Sequence, residues 1–216
     1  MPAVPIKAAY GPTLGRLLSP WWRSSSALVR ALTLALVAGL VVLAVGAFFT
    51  LENGHYSHGG SVPFSFSYRS LYRVAPEAGG FVRLERHGKA GRLEDSFAVG
   101  PLTVPPYTGE ETGEMPVYAA GYIRTLQARD TDFVLRGEGK TRVNSVTAYE
   151  VLYTTRVQGR TMWGRNVLLL PERPRAREGV TIVMLTSPTA NAQVTSPLEV
   201  ATTGILLRPL KTMTLG

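Results

Sequence analysis

The hydrophobic pattern divides the chain into an apolar N-terminal run and a longer mixed part. From Ala31 to Phe49 no residue is charged, and a helix of that length spans roughly 28 Å, close to the ~30 Å hydrocarbon core of a bilayer. The flank before this run carries Lys7, Arg16, Arg23 and Arg30 and no acid. The positive-inside rule therefore predicts a signal-anchor helix with its N-terminus in the cytoplasm and the rest of the chain outside.

A cleaved signal peptide is the competing interpretation of this run, because Ala44-Val45-Gly46 is an acceptable small-residue cleavage site. The long basic segment before the run and the length of the run itself favour an uncleaved anchor. We therefore expect four parts: a cytoplasmic basic segment over 1–26, a transmembrane helix over 27–50, a flexible tether rich in Gly, Ser and Asn over 51–61, and an extracytoplasmic domain over 62–216.

The start of the domain alternates aromatic and serine residues over Phe64–Tyr68, which is typical of a strand with one solvated face. Residues 81–87 and 92–99 flank Gly88-Lys89-Ala90-Gly91, a pattern that predicts a hairpin. Three prolines then predict the end of regular structure: Pro101, Pro105 and Pro106.

An amphipathic helix is predicted over 116–128, because Pro116 suits a first helical turn and apolar residues follow at helical spacing. Further strands are predicted over 132–135, 144–157, 161–170 and 180–186. A second helix is expected from the capping-box pattern at Ser196–Glu199 to about Leu207. The predicted fold class is α+β, a largely antiparallel sheet flanked by two helices and preceded by a single transmembrane helix.

Several segments together resemble the PsbP/Mog1-like domain family, as found in many secreted or anchored actinobacterial-type proteins. They are Phe64–Tyr68 followed by Leu71-Tyr72-Arg73-Val74, the long strand Val146–Val157, the segments Gly159–Pro171 and Gly179–Leu185, and a terminal helix. The resemblance covers about residues 62–216 and implies a small accessory or binding domain outside the cytoplasm. The family has no shared catalytic residues, so the resemblance assigns no site to this chain.

Composition excludes several kinds of chemistry. The chain has no cysteine, which excludes disulfides, thiolate zinc sites and cysteine nucleophiles. His55 and His58 form a His-x-x-His pattern without an evident third ligand, and His87 has no evident catalytic partner. We therefore expect no metal, no cofactor and no enzymatic activity. Half of the net charge of +8 precedes Glu52, and the +4 of residues 52–216 is spread without an aromatic–basic motif, so nucleic-acid binding is not expected.

Other polar and aromatic groups have both a structural and a functional interpretation. Asp130 and Asp132 suit a turn or a pair of metal ligands. The glutamates at 110, 111 and 114 suit a helix N-terminus or an acid pair, and Gly137-Glu-Gly139 lacks the third glycine of a dinucleotide loop. Aromatic residues at three positions suit a core or a ligand groove: Tyr149, Tyr153 and Trp163.

The loop from Pro171 to Gly179 is the candidate binding surface, because it carries Arg173, Arg175 and Arg177. Guanidinium groups at a hairpin tip suit a protein or an anionic component of the cell envelope. The sequence therefore predicts a non-catalytic binding or accessory module outside the membrane. The alternative is a carrier or sensor of a small apolar ligand held between sheet and helix.

The topology is testable in cells. Because all basic residues near the apolar run precede it and none follows until Arg69, protease added to intact cells should remove the C-terminal domain. Immunoblotting with an antibody against the domain measures this loss. Protection of the domain until the cells are lysed would contradict the expected orientation.

Overall fold

The computed structural model describes residues 24–50, 54–76, 79–109, 111–173 and 176–216. Almost all of the predicted cytoplasmic segment over 1–26 lies outside these residues. Contacts between residues divide the chain into two compact units, Met1–Thr50 and Leu51–Gly216.

The first unit contains helix α1, Ala27–Thr50. Its stretch Ala27–Gly46 has a mean hydropathy of 2.5 and is long enough to cross a membrane. The leucines along it are exposed, Leu36 by 66% and Leu43 by 70%, and apolar surface of this extent is unfavourable in water. The expected apolar N-terminal helix is confirmed, whereas its insertion in a membrane stays a prediction, since a signal sequence has the same properties.

The second unit is built from ten described strands in two sheets. A three-stranded sheet has the order β1-β2-β10 and a seven-stranded sheet the order β3-β4-β5-β9-β8-β7-β6, and all the pairings between these strands are antiparallel. The predicted α+β class is confirmed. The strands are β1 Gly54–His58, β2 Phe64–Tyr68, β3 Arg73–Ala75, β4 Val82–His87, β5 Leu93–Thr103, β6 Val134–Val143, β7 Val146–Val157, β8 Arg160–Leu169, β9 Glu178–Thr186 and β10 Thr214–Leu215.

The larger sheet is covered on both faces. On one face, Phe66 of β2 packs on Phe97 of β5 with ring centroids 5.0 Å apart, and both side chains are fully buried. On the other face lies helix α2, Glu111–Arg129, whose Ile123 and Leu126 pack with Val151 of β7. A short helix α3, Leu207–Lys211, completes the C-terminal part.

The tether prediction is wrong over Gly54–His58, because these residues form β1. Gly54 pairs with Tyr68 and His58 with Phe64 along β2. The aromatic residues of β1 explain the ordering: the His58 ring stacks on Phe64 at 5.1 Å and Tyr56 packs at 5.6 Å from Phe66. The Gly and Ser content of this segment is typical of a tether, but its Tyr56 and His58 side chains pack inward and stabilise a strand.

The second predicted helix is also wrong in extent. Only a 3-10 turn, Pro197–Glu199, forms near the capping-box pattern, and the Glu199 carboxylate accepts hydrogen bonds from the backbone N–H and hydroxyl of Thr195. Ala201 and Gly204 then have φ values of 60° and 73°, which interrupt a helix. The helical residues therefore begin only at Leu207.

Two element boundaries predicted at prolines lie elsewhere in the structure. Strand β5 continues through Pro101. Its pairing with β4 ends at Val99, so no partner on that side needs the N–H that Pro101 lacks. Helix α2 begins five residues before Pro116, which lies inside it. The hairpins predicted around Gly88–Gly91 and Pro171–Gly179 are present as β4–β5 and β8–β9.

A buried carboxylate joins three strands of the larger sheet. Asp95 of β5 is 0% exposed and accepts hydrogen bonds from Arg86 Nε of β4 at 2.7 Å and from Thr186 Oγ1 of β9 at 2.6 Å. Arg86 also pairs with Glu94. Burial raises the pKa of Asp95, while the hydrogen bond from Thr186 and the charge of Arg86 lower it less.

Stability should therefore depend on pH through Asp95. Its pKa in the folded state lies above the unfolded value of 3.8, so its contribution is fully present below about pH 4 and is lost as pH rises through the folded-state pKa. We expect the free energy of unfolding of the natural chain, relative to Asp95→Asn, to fall as pH rises from about 4. Urea titration in detergent measures it, with Asp132→Asn as the control, and a pH-independent difference would contradict it.

Candidate functional site

An apolar groove lies between helix α2 and the segment that follows β5. Its volume is about 530 Å³. One wall is formed by Val104, Pro105, Pro106 and Tyr107, and the other by the face of α2 from Glu114 to Thr125. This combination of an apolar lining with a few polar groups is typical of a ligand or peptide site.

The proline segment forms a wall because it cannot continue the sheet. Pro105 and Pro106 lack the N–H groups that a strand would need. The segment is held instead by Arg177: its backbone carbonyl accepts from Val104 N–H at 2.8 Å, and its Nη1 donates to the Pro105 carbonyl at 2.5 Å and to Glu114 Oε1 at 2.9 Å. Arg177 thus joins the wall to α2 at one end of the groove.

The helical wall is open at Gly121. A Cβ built at Gly121 would meet no atom within 4 Å, so a larger residue would fit there. Glycine in a helix interior lowers helix stability by roughly 0.5–1 kcal/mol relative to alanine. On either side, the Tyr118 and Tyr122 rings stack with centroids 6.4 Å apart, and Val117 is 58% exposed. The groove therefore offers stacked aromatic surface beside unfilled space.

Tyr122 connects the groove to a polar network beneath the helix. Its Oη accepts a hydrogen bond from Asn166 Nδ2 at 2.8 Å, and Asn166 Oδ1 accepts from Tyr153 Oη at 3.0 Å. Burial raises the pKa of Tyr122 to about 12, so the phenol stays neutral at physiological pH. Because Glu114 is paired with Arg177, the lining is suited to binding rather than to proton transfer.

Two of the three arginines of the predicted binding surface lie within the described residues. Arg173 is exposed at the hairpin tip, Arg177 is engaged at the end of the groove, and Arg175 lies outside the described residues. A shared guanidinium surface therefore stays a prediction. The sequence analysis missed the groove itself, whose signals were the Pro-Pro-Tyr segment at 105–107 and a glycine inside an amphipathic helix.

The histidines have no common site. His55 and His58 lie three residues apart on strand β1, so their side chains point to opposite faces. His58 packs against Phe81 at 4.3 Å, and His87 Nε2 lies 3.4 Å from Glu85. Among the described residues, no three His, Asp or Glu side chains are grouped so that they could hold a metal ion.

The remaining candidates from the sequence have structural positions. Asp130 accepts hydrogen bonds from the Asp132 N–H and the Thr155 hydroxyl, which shapes the turn after α2. Tyr149 and Tyr153 pack on the α2 side of the sheet, whereas Trp163 packs on the opposite core. These three aromatics therefore do not form one groove. Residues Gly137 and Gly139 lie within strand β6 and not in a nucleotide-binding loop.

Comparison of the sequence with protein-family models and with curated proteins finds no match. Solved structures do match. LpqN of Mycobacterium tuberculosis, described as involved in cell envelope biogenesis, has a TM-score of 0.50 at 8% identity, over 76% of this chain and 91% of that one. This similarity shows the fold of the domain.

Two further structures are similar. The cyanobacterial PsbP, CyanoP, from Synechocystis sp. PCC 6803 has a TM-score of 0.49 at 15% identity, over 77% of this chain and 94% of that one. A Pseudomonas aeruginosa protein of unknown function, PA94, described as a putative regulator, has a TM-score of 0.39 at 13% identity, over 64% of this chain and 85% of that one. A PsbP protein is thus among the matched structures.

Proposed function

We propose that this chain is a membrane-anchored, extracytoplasmic binding module without catalytic activity, and that the groove between α2 and residues 104–107 receives a segment of a partner protein of the cell envelope. The observation that carries the proposal is the open apolar groove of about 530 Å³. The groove is lined by proline, valine and tyrosine, so the displacement of its water by apolar side chains of a partner is favourable.

Three further features support the proposal. Helix α1 has the length and hydropathy of an anchor, and the basic flank before it favours an external domain. The fold is shared with LpqN, a protein described as involved in cell envelope biogenesis. The groove is held in shape by Arg177 before any partner binds, and preorganisation of this kind lowers the entropic cost of binding.

A second candidate is a carrier or sensor of a small apolar ligand. The concave form of the groove and the open space beside Gly121 favour this alternative, because a small ligand is enclosed better by a cavity than by a flat patch. The two functions differ in the mass of the occupant.

Photocrosslinking from the groove distinguishes the two. A benzophenone amino acid in place of Val117, which lines the groove, should capture the occupant when the full chain is illuminated in its own membrane. A partner protein gives a large adduct that is seen on a gel and identified by mass spectrometry, whereas a small ligand gives a small mass increase. Absence of any adduct specific to Val117 would contradict both functions.

A filled groove provides the matched test. Gly121→Leu places a side chain in open space and raises helix propensity, so we expect the adduct to disappear while the melting temperature stays equal or rises. Ala120→Leu adds the same side chain at the neighbouring exposed position outside the groove and should leave the adduct unchanged. Equal loss in both variants, or in neither, would exclude the groove as the binding site.

A further inference from the structure

The positive charge of the domain is concentrated in the segments that build its smaller sheet. Residues 54–76 and 200–216 carry four Lys or Arg and no Asp or Glu, whereas residues 77–199 carry 15 basic and 14 acidic residues. Strands β1, β2 and β10 and helix α3 all belong to the first two segments. These two segments therefore carry most of the net positive charge of the domain, with Arg73 in β3 of the larger sheet and the other three cations outside it.

The strand register brings two of these cations to one end of the smaller sheet. Thr212 Oγ1 donates to the Ser67 carbonyl at 3.1 Å and accepts from the Ser67 N–H at 2.9 Å, so the residues that follow Ser67 lie beside those that precede Thr212. Arg69 and Lys211 are these residues. With exposed Ser70 and with Leu71, which is 50% exposed, they form what we call the Arg69–Lys211 patch.

The same end of the sheet receives the chain from helix α1. Gly54, the first residue of β1, pairs with Tyr68, the residue before Arg69. Only residues 51–53 separate Gly54 from Thr50, the last residue of α1, and one of them, Glu52, is acidic. Whatever the orientation of the two units, four Cα–Cα steps keep Gly54 within about 15 Å of Thr50.

We propose that the Arg69–Lys211 patch docks on the anionic phospholipid headgroups of the membrane that holds α1, and so fixes the orientation of the domain on that membrane. The inference rests on the anchor in the proposed function and adds a lipid surface to it. Cations near an anionic surface are attracted over roughly 8 Å at physiological salt, and the exposed Leu71, two residues after Arg69, can enter the headgroup layer. The short connection keeps Gly54 within about 15 Å of the end of α1, so the patch is able to reach the headgroup layer.

The absence of cysteine from the chain allows one label to report docking. The full chain with Ser70→Cys is labelled with a fluorophore and reconstituted in vesicles of phosphatidylcholine alone or of equal phosphatidylcholine and phosphatidylglycerol, each with a nitroxide headgroup quencher. We expect stronger quenching in the anionic vesicles, reversed by high salt. A label at Ala128→Cys, exposed on α2, should be quenched less and equally in both vesicles.

Charge reversal tests the named residues. Arg69→Glu with Lys211→Glu should lower the ratio of docked to undocked domain by roughly tenfold or more, whereas Arg124→Glu with Arg142→Glu, at exposed positions elsewhere, should leave quenching at Ser70 unchanged. Equal quenching at positions 70 and 128, or an unchanged signal after the first reversal, would overturn the patch. Flotation with vesicles in alkaline carbonate reports the anchor separately: a chain that floats without quenching contradicts only the patch, and one that does not float contradicts the anchor.

Discussion

The packing of Phe66 on Phe97 joins the two sheets of the domain. Both side chains are fully buried, and their ring centroids lie 5.0 Å apart. Aromatic pairs of this geometry contribute about 0.5–1.5 kcal/mol beyond their buried area. Because Phe66 belongs to β2, and β2 pairs with both β1 and β10, this contact secures the first and last strands of the domain against the larger sheet.

Covering one face of the larger sheet with the smaller sheet leaves the other face to α2. The helix buries Ala119, Ile123 and Leu126, and between Glu114 and Thr125 it also faces the proline segment that follows β5. The groove lies at that point. Its position thus follows from one local constraint, the missing donors of Pro105 and Pro106, and one long-range contact, the link that Arg177 makes to Glu114.

Alternation and turn residues predict strands β4, β5, β7, β8 and β9 of the larger sheet, because these patterns reflect local preferences. The hairpin around Gly88–Gly91 is an example. The structure predicted from the sequence is wrong where a long-range contact determines the local conformation. Strand β1 has tether-like composition, but its backbone pairs with β2 and its His58 ring packs on Phe64 and Phe81. The groove likewise depends on a contact between Arg177 and Glu114, 63 residues apart along the chain.

Under the proposed binding function, Gly121 is a position where binding and helix stability have opposite requirements. An alanine would fit at this helical position without a contact and would stabilise the helix by roughly 0.5–1 kcal/mol. The glycine leaves space beside the stacked rings of Tyr118 and Tyr122. Under the proposed function, these rings supply the surface on which an apolar group of the partner would rest, and a larger side chain at position 121 would occupy that space.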